Sequence, residues 1–426
     1  MRPTKSDAPL KKMKKEGTTM TRKCIALLLS LLMVISAVPA FAALDAGTVE
    51  LYSQKKEAIE IYDSIIADFS AANPDVKVVQ TTTADGSTFL GRVASNDIPD
   101  IGGVFLQSAY YNMMDEGYFL DLSGEEFLSR VSPDIVALAS HNGKNYVLPI
   151  TMNGYTLYIN TDIYAAHNLE IPTTYEQLIA NCEVLKAAGV NPFALPGKST
   201  GNLGQNYERL LGGCVDHEAW KIAEAVAEGA SHKDFPAFVD YIEKWYALTR
   251  FAGLDPLSTD DDDCNRMFAN GEVAMLFSGT WGNSVFMNLN PDLKYEGVVP
   301  PTFSGVEPFT CGTVDIALTI GADSDNIEGA KKFLEYFVSP EAAQKFAEGD
   351  KNPNVVLGTS YEIPHMSAIS AAMQDGRFAL IPSTYWPAGY RDEIQIMLQQ
   401  LLLDGDVNAF IENLDTMTVD FYADAE

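Results

Sequence analysis

The chain has 426 residues, of which 29 are Lys or Arg and 58 are Asp or Glu, giving a formal net charge of −29 at pH 7. That balance repels phosphate backbones and anionic lipid, which are met by clustered basic residues, so nucleic-acid binding is excluded. A hydrophobic fraction of 47% with aromatics spread along the chain argues equally against disorder.

In chain order, the first feature is Thr21-Arg22-Lys23 ahead of an apolar run from Cys24 to Val38, followed by Pro39-Ala40-Phe41-Ala42. A basic start, an apolar middle and a small-x-small end form a secretory signal peptide. The apolar run, at ~15 residues, falls short of the ~20 that a membrane-spanning helix needs. The expectation is an exported protein, extracellular, cell-surface or periplasmic, cleaved after Ala42. Cys24 stands at the start of the run and not at its end behind small residues, so no lipidated first residue is expected. Residues 1–19, polar and basic, are an upstream extension and take no part in the fold.

The 384 residues from Ala43 onward exceed what one core usually holds and imply two domains. Residues 1–42 carry eight basic and two acidic residues, leaving 21 against 56, a net −35. Four cysteines remain, Cys182, Cys214, Cys264 and Cys311, an even count that permits disulfides in three connectivities. Their spacing is wide and irregular, and no CxxC zinc pattern occurs.

Val49–Tyr52 reads as a strand, followed by polar Ser53-Gln54-Lys55-Lys56, then a helix with Ile61, Ile65, Ile66 and Phe69 on one face that ends near Asn73-Pro74. A strand at Val76–Val79, a helix from about Ser87 to Ala94 and a strand at Gly102–Leu106 follow. Alternation of this kind predicts an α/β architecture, a parallel sheet covered by helices, with ligands at the carboxyl ends of the strands. Strands are expected at Tyr146–Ile150, Tyr155–Asn160, Val273–Phe277 and Asp315–Ile320. Helices are expected at Tyr175–Ala187, Asn206–Gly212, His217–Ala227, Phe235–Phe251 and Ile327–Phe337, and the tail is helical. The run Asp260–Asp263 lacks the glycine that a calcium loop places sixth, since Arg266 stands there counting from Asp261, and reads as a helix N-terminus.

Several further stretches stand in order along the chain: Phe69-Ser70-Ala71-Ala72-Asn73-Pro74-Asp75-Val76, Ile98-Pro99-Asp100-Ile101, Gly117-Tyr118-Phe119-Leu120-Asp121-Leu122, and Gly143-Lys144-Asn145-Tyr146-Val147-Leu148-Pro149 with Leu157-Tyr158-Ile159-Asn160. Ile171-Pro172-Thr173-Thr174-Tyr175-Glu176, Phe268–Met275 with Gly279-Thr280-Trp281, and Ala330–Ala342 continue them. Together, in this order, they resemble the family 1 extracellular solute-binding proteins of ABC importers, the maltose-binding, carbohydrate type. The resemblance implies a periplasmic-binding-protein-like fold, two α/β lobes with a hinge and an interlobe ligand cleft. The crossings would fall near Ile150–Tyr155 and Cys311–Ile316. Lobe one would be 43–152 with 273–314, and lobe two 153–272 with 315–426.

The resemblance also implies a monomer that captures a small solute, a mono- or oligosaccharide, and hands it to the permease subunits. No cofactor and no metal are implied. Sugars offer hydroxyls for planar polar side chains and C–H faces for aromatic rings. Trp281 follows Gly279-Thr280 where the family places a cleft tryptophan, and Trp386 sits where it often carries a second stacking ring. Asn153 and Tyr155 flank Gly154 on the first crossing, and Asp315 lies beside the second. Gln54, Lys55, Gln107 and Ser108 match ligand-reaching loops, and Tyr207 with Glu208 lies in an inward-facing segment. Core packing is the competing reading for each aromatic. An exported glycoside hydrolase is the first rival function, although His141, His167, His217, His232 and His365 are scattered and neither HExxH nor GxSxG occurs. A sugar sensor or adhesin is the second.

Overall fold

The computed structural model describes residues 47–82, 86–106, 108–198, 200–360, 362–387 and 389–425. The signal peptide expected within residues 20–42, with Cys24, and the candidate Gln107 lie outside them. Among the described residues the strands are β1 (Thr48–Ser53), β2 (Lys77–Thr82), β3 (Ile101–Val104), β4 (Leu148–Met152), β5 (Tyr155–Asn160), β6 (Asn191–Ala194), β7 (Val273–Gly279), β8 (Tyr295–Val298), β9 (Thr310–Gly312), β10 (Val314–Ile320) and β11 (Phe378–Leu380).

The strands form two larger sheets, ordered β2-β1-β3-β10-β4 and β6-β7-β5-β8, and a small parallel ribbon of β9 and β11. Period-two alternation gives each face of the first sheet its own core. Val49 and Leu51 enter one with Phe69, Phe333 and Phe346, while Tyr52 enters the other with Phe89 and Tyr110. In the second sheet Leu157 and Ile159 pack with Trp245 and Tyr207, and Tyr158 faces Phe268 and Phe286. The molecule is thus a two-lobed α/β fold.

The expected parallel pairing holds where β1 meets β2 and β3 in the first sheet and where β6 meets β7 in the second. Strand β10 runs antiparallel to both β3 and β4, because it enters the first sheet from the other lobe and not from a βαβ crossover. The expected division of the chain is corrected by the same pairings. β7 lies beside β5 and β6 in the second sheet, so the stretch from residue 273 belongs with the second lobe and not the first. β10 lies in the first sheet, and Phe333, Phe337 and Phe346 fill that sheet's core, so the stretch after residue 315 begins in the first lobe. The chain passes between sheets at Asn153-Gly154 and again around Thr313. A third passage falls between Val356, packed under the first sheet, and Ile363, packed under the second.

Asp260 does cap a helix, Asp261–Ala269, its carboxylate accepting from the Asp263 N–H at 3.0 Å. Cys182, Cys214, Cys264 and Cys311 are four buried free thiols, and burial raises the Cys182 thiol to about 12. No described helix is long and apolar enough to cross a membrane.

Candidate functional site

The loop after β1 leaves the carboxyl end of a parallel strand, where the topology directs ligand contacts. Lys55 lies there, only 4% exposed, with its ammonium hydrogen-bonded to Asp315 and 2.8 Å from Asp350 Oδ1. Asp350 ends the helix Pro340–Asp350, an unfavourable place for a carboxylate, and the lysine offsets it. Burial works to lower the Lys55 pKa, but Asp315, Asp350 and Glu57 outweigh it, and the group is held above its ordinary value. Burial pushes the Asp350 carboxyl up.

From Asp315 a polar chain runs through both crossings into the second lobe. Asn153 Nδ2 donates to Asp315 Oδ1 at 2.8 Å, and Asn153 Oδ1 accepts from Arg209 Nη1 at 2.9 Å and from the Thr313 N–H at 3.0 Å. The same Arg209 nitrogen reaches the Cys311 carbonyl at 3.3 Å. The Arg209 guanidinium, whose pKa burial lowers, stands 5.2 Å from the centroid of the Trp281 ring. Trp281 caps the end of β7 and opens the helix Gly282–Leu289. Its other support is Gly279, where an added Cβ would come within 1.9–2.2 Å of three atoms of the six-membered ring.

Five of the expected residues, Gln54, Lys55, Asn153, Asp315 and Trp281, line one cavity of about 360 Å³. Gln54 is oriented by a 2.8 Å hydrogen bond to the Tyr110 hydroxyl. Three expected residues are elsewhere. Tyr155 is 3% exposed and its hydroxyl accepts from Asn206 Nδ2 at 2.9 Å, because a side chain next to Gly154 on β5 points into the second core. Tyr207 is buried edge-on against Trp245, on the inner face of the helix Thr200–Cys214. Trp386 is 5% exposed and packs edge-on against Tyr390, while its neighbour Tyr385 is 44% exposed and stacks on Trp220 at 4.3 Å. Ser108 is the first residue of the helix Ser108–Asp115.

Glu57, Gln205, Arg209 and Arg391, which no sequence motif marks, line the same cavity. Glu57 is open to solvent at the rim yet close enough to protein that desolvation raises its carboxyl, against the pull of Lys55. Gln205 and Arg209 are one turn apart on the helix Thr200–Cys214, so an i, i+4 polar pair was the available signal. Arg391 gave none. No group of His, Cys, Asp and Glu among the described residues could hold a metal ion.

The profile of the bacterial extracellular solute-binding protein family matches residues 52–344. The chain belongs to that family. As an extracellular solute-binding protein it is 26% identical over 344 residues to the multiple sugar-binding protein of Streptococcus mutans serotype c (strain ATCC 700610 / UA159), covering 74% of this chain and 76% of that one. Among solved structures, a complex of the solute-binding protein RafE with raffinose superposes with a TM-score of 0.78 at 23% identity, covering 88% of this chain and 99% of that one. A sugar transporter from Bacillus licheniformis in complex with stachyose gives a TM-score of 0.71 at 18% identity, over 88% and 98% of the two chains. These structural likenesses are likenesses of fold.

Proposed function

We propose that this solute-binding protein is the exported capture component of an ABC importer. Its ligand is a carbohydrate, a mono- or oligosaccharide, held in the cavity between the lobes. The lobes close over the sugar, and the closed form is read by the membrane permease. One observation carries the reading: the half-buried Trp281 ring shares a cavity with the planar polar side chains of Gln54, Asn153, Gln205 and Asp315. A sugar needs both surfaces at once, C–H faces for the ring and hydroxyls for the amides and carboxylate. The volume lies within the range of roughly 300–1,000 Å³ usual for small-ligand sites. The names of the relatives, multiple sugar-binding and raffinose- or stachyose-bound, support the same class.

Thermal unfolding of the purified protein across a panel of saccharides, amino acids and peptides tests the proposal. A ligand at 100 times its dissociation constant adds ~2.7 kcal/mol, a rise of a few degrees in a chain of this size. The expected result is protection by one or a few saccharides. Protection by peptides or amino acids alone would remove the carbohydrate assignment.

A further inference from the structure

Behind the second lobe's wall of the cavity, Glu208 pairs with Arg391 without the hydrogen bonds such a pair can make. In the first lobe, Glu50 and Arg92 form a two-pronged fork, with hydrogen bonds of 2.7 and 2.8 Å, which is how a structural carboxylate–guanidinium pair is satisfied. Glu208 is fully buried, yet neither of its carboxylate oxygens has a hydrogen-bond partner. Arg391 approaches Glu208 Oε1 only to 3.4 Å, and its Nε is buried without a partner, as is the Nε of Arg209. A buried carboxylate without hydrogen bonds is costly and calls for a reason.

The helices bring these groups to the ligand side. Glu208 and Arg209 are consecutive on Thr200–Cys214, and Arg391 is in the first turn of Tyr390–Asp404. The two helices touch so closely at Gly204 that a Cβ there would meet Gln395 Cγ at 2.2 Å. Arg209 and Arg391 both line the cavity, and Glu208 lies behind them. Glu208 thus pairs with Arg391, and its charge also opposes that of the neighbouring Arg209.

Resting on the carbohydrate reading above, we propose that Arg391 is a ligand contact donating to a neutral sugar hydroxyl, and that Glu208 is the positioning residue that holds Arg391 against the cavity. The neutral class follows from the surroundings. Glu208 already opposes the charge on this wall, and on the facing one Lys55 is taken up by Asp315 and Asp350 beside Glu57, so a ligand carboxylate gains little. A hydroxyl both donates and accepts, and meets either wall.

The test uses the purified protein and whichever saccharide of the panel protects it most. Glu208→Gln alone leaves two guanidiniums uncompensated, so the decisive variant is the double one, Glu208→Gln with Arg391→Met, which removes one charge of each sign. It is expected to unfold within a few degrees of the wild type without ligand, and to bind the saccharide at least tenfold more weakly. Glu208→Asp, keeping the charge, should recover part of that loss. A double variant that folds and binds as tightly as the wild type overturns the assignment. If the double variant fails to fold, Arg391→Lys decides: weaker binding supports the role and unchanged binding overturns it. A wild-type protein that no saccharide protects overturns the carbohydrate reading, and this assignment falls with it.

Discussion

Lys55 is the residue on which most of the site's electrostatics turns. It is the cation facing two buried carboxylates, Asp315 and Asp350, so its removal leaves both uncompensated. Breaking a buried pair from one side costs about 3–5 kcal/mol. Lys55→Met should therefore lower the unfolding free energy by that amount in chemical denaturation, and a variant as stable as the wild type would show that the network contributes no stability. Lys55 and Asp315 were legible as cavity-lining residues because they fall at strand ends beside the first loop and the second crossing. Asp350 was not, since no local signal marks the last carboxylate of the helix Pro340–Asp350 as buried. Trp386 and Tyr385 show the limit of residue-scale reading. Two adjacent aromatics in a loop must point differently, and composition does not say which faces the core.

At the scale of elements, local signals served well. β5 and the helices Tyr175–Ala187 and Ile327–Phe337 have the bounds that periodicity and capping residues predict. Pairing was less legible, because Val273–Phe277 and Asp315–Ile320 are equally apolar and a fully buried strand does not reveal which sheet it joins. The close fit of β7 to Trp281 gives an element-scale prediction. Gly279→Ala places a methyl group inside van der Waals contact with the indole, at 1.9 Å from its nearest ring atom. The ring can swing away while the strand stays paired, so the expected loss of stability is about 1–3 kcal/mol. Ligand affinity should fall more than tenfold, read by titration calorimetry, and an unchanged affinity would mean that the ring's present seat is irrelevant to binding.

At the scale of the whole molecule, the resemblance named two lobes and two crossings. The structure gives the same two-lobed architecture with a third passage and a different allotment of segments. The misallotment has a physical origin: a chain that changes sheet at each crossing interleaves the lobes, and long-range pairing leaves no local trace. The cavity lies beside two of these passages, with Asn153 and Thr313 in its wall, so occupancy and lobe geometry share the same atoms. The most direct measurement is calorimetric titration of the protective saccharide into the wild type and Trp281→Ala, each checked for unchanged melting without ligand. One site per chain is expected in the wild type, with binding lost in the variant. Equal binding by both proteins would contradict a sugar held against Trp281 between the lobes.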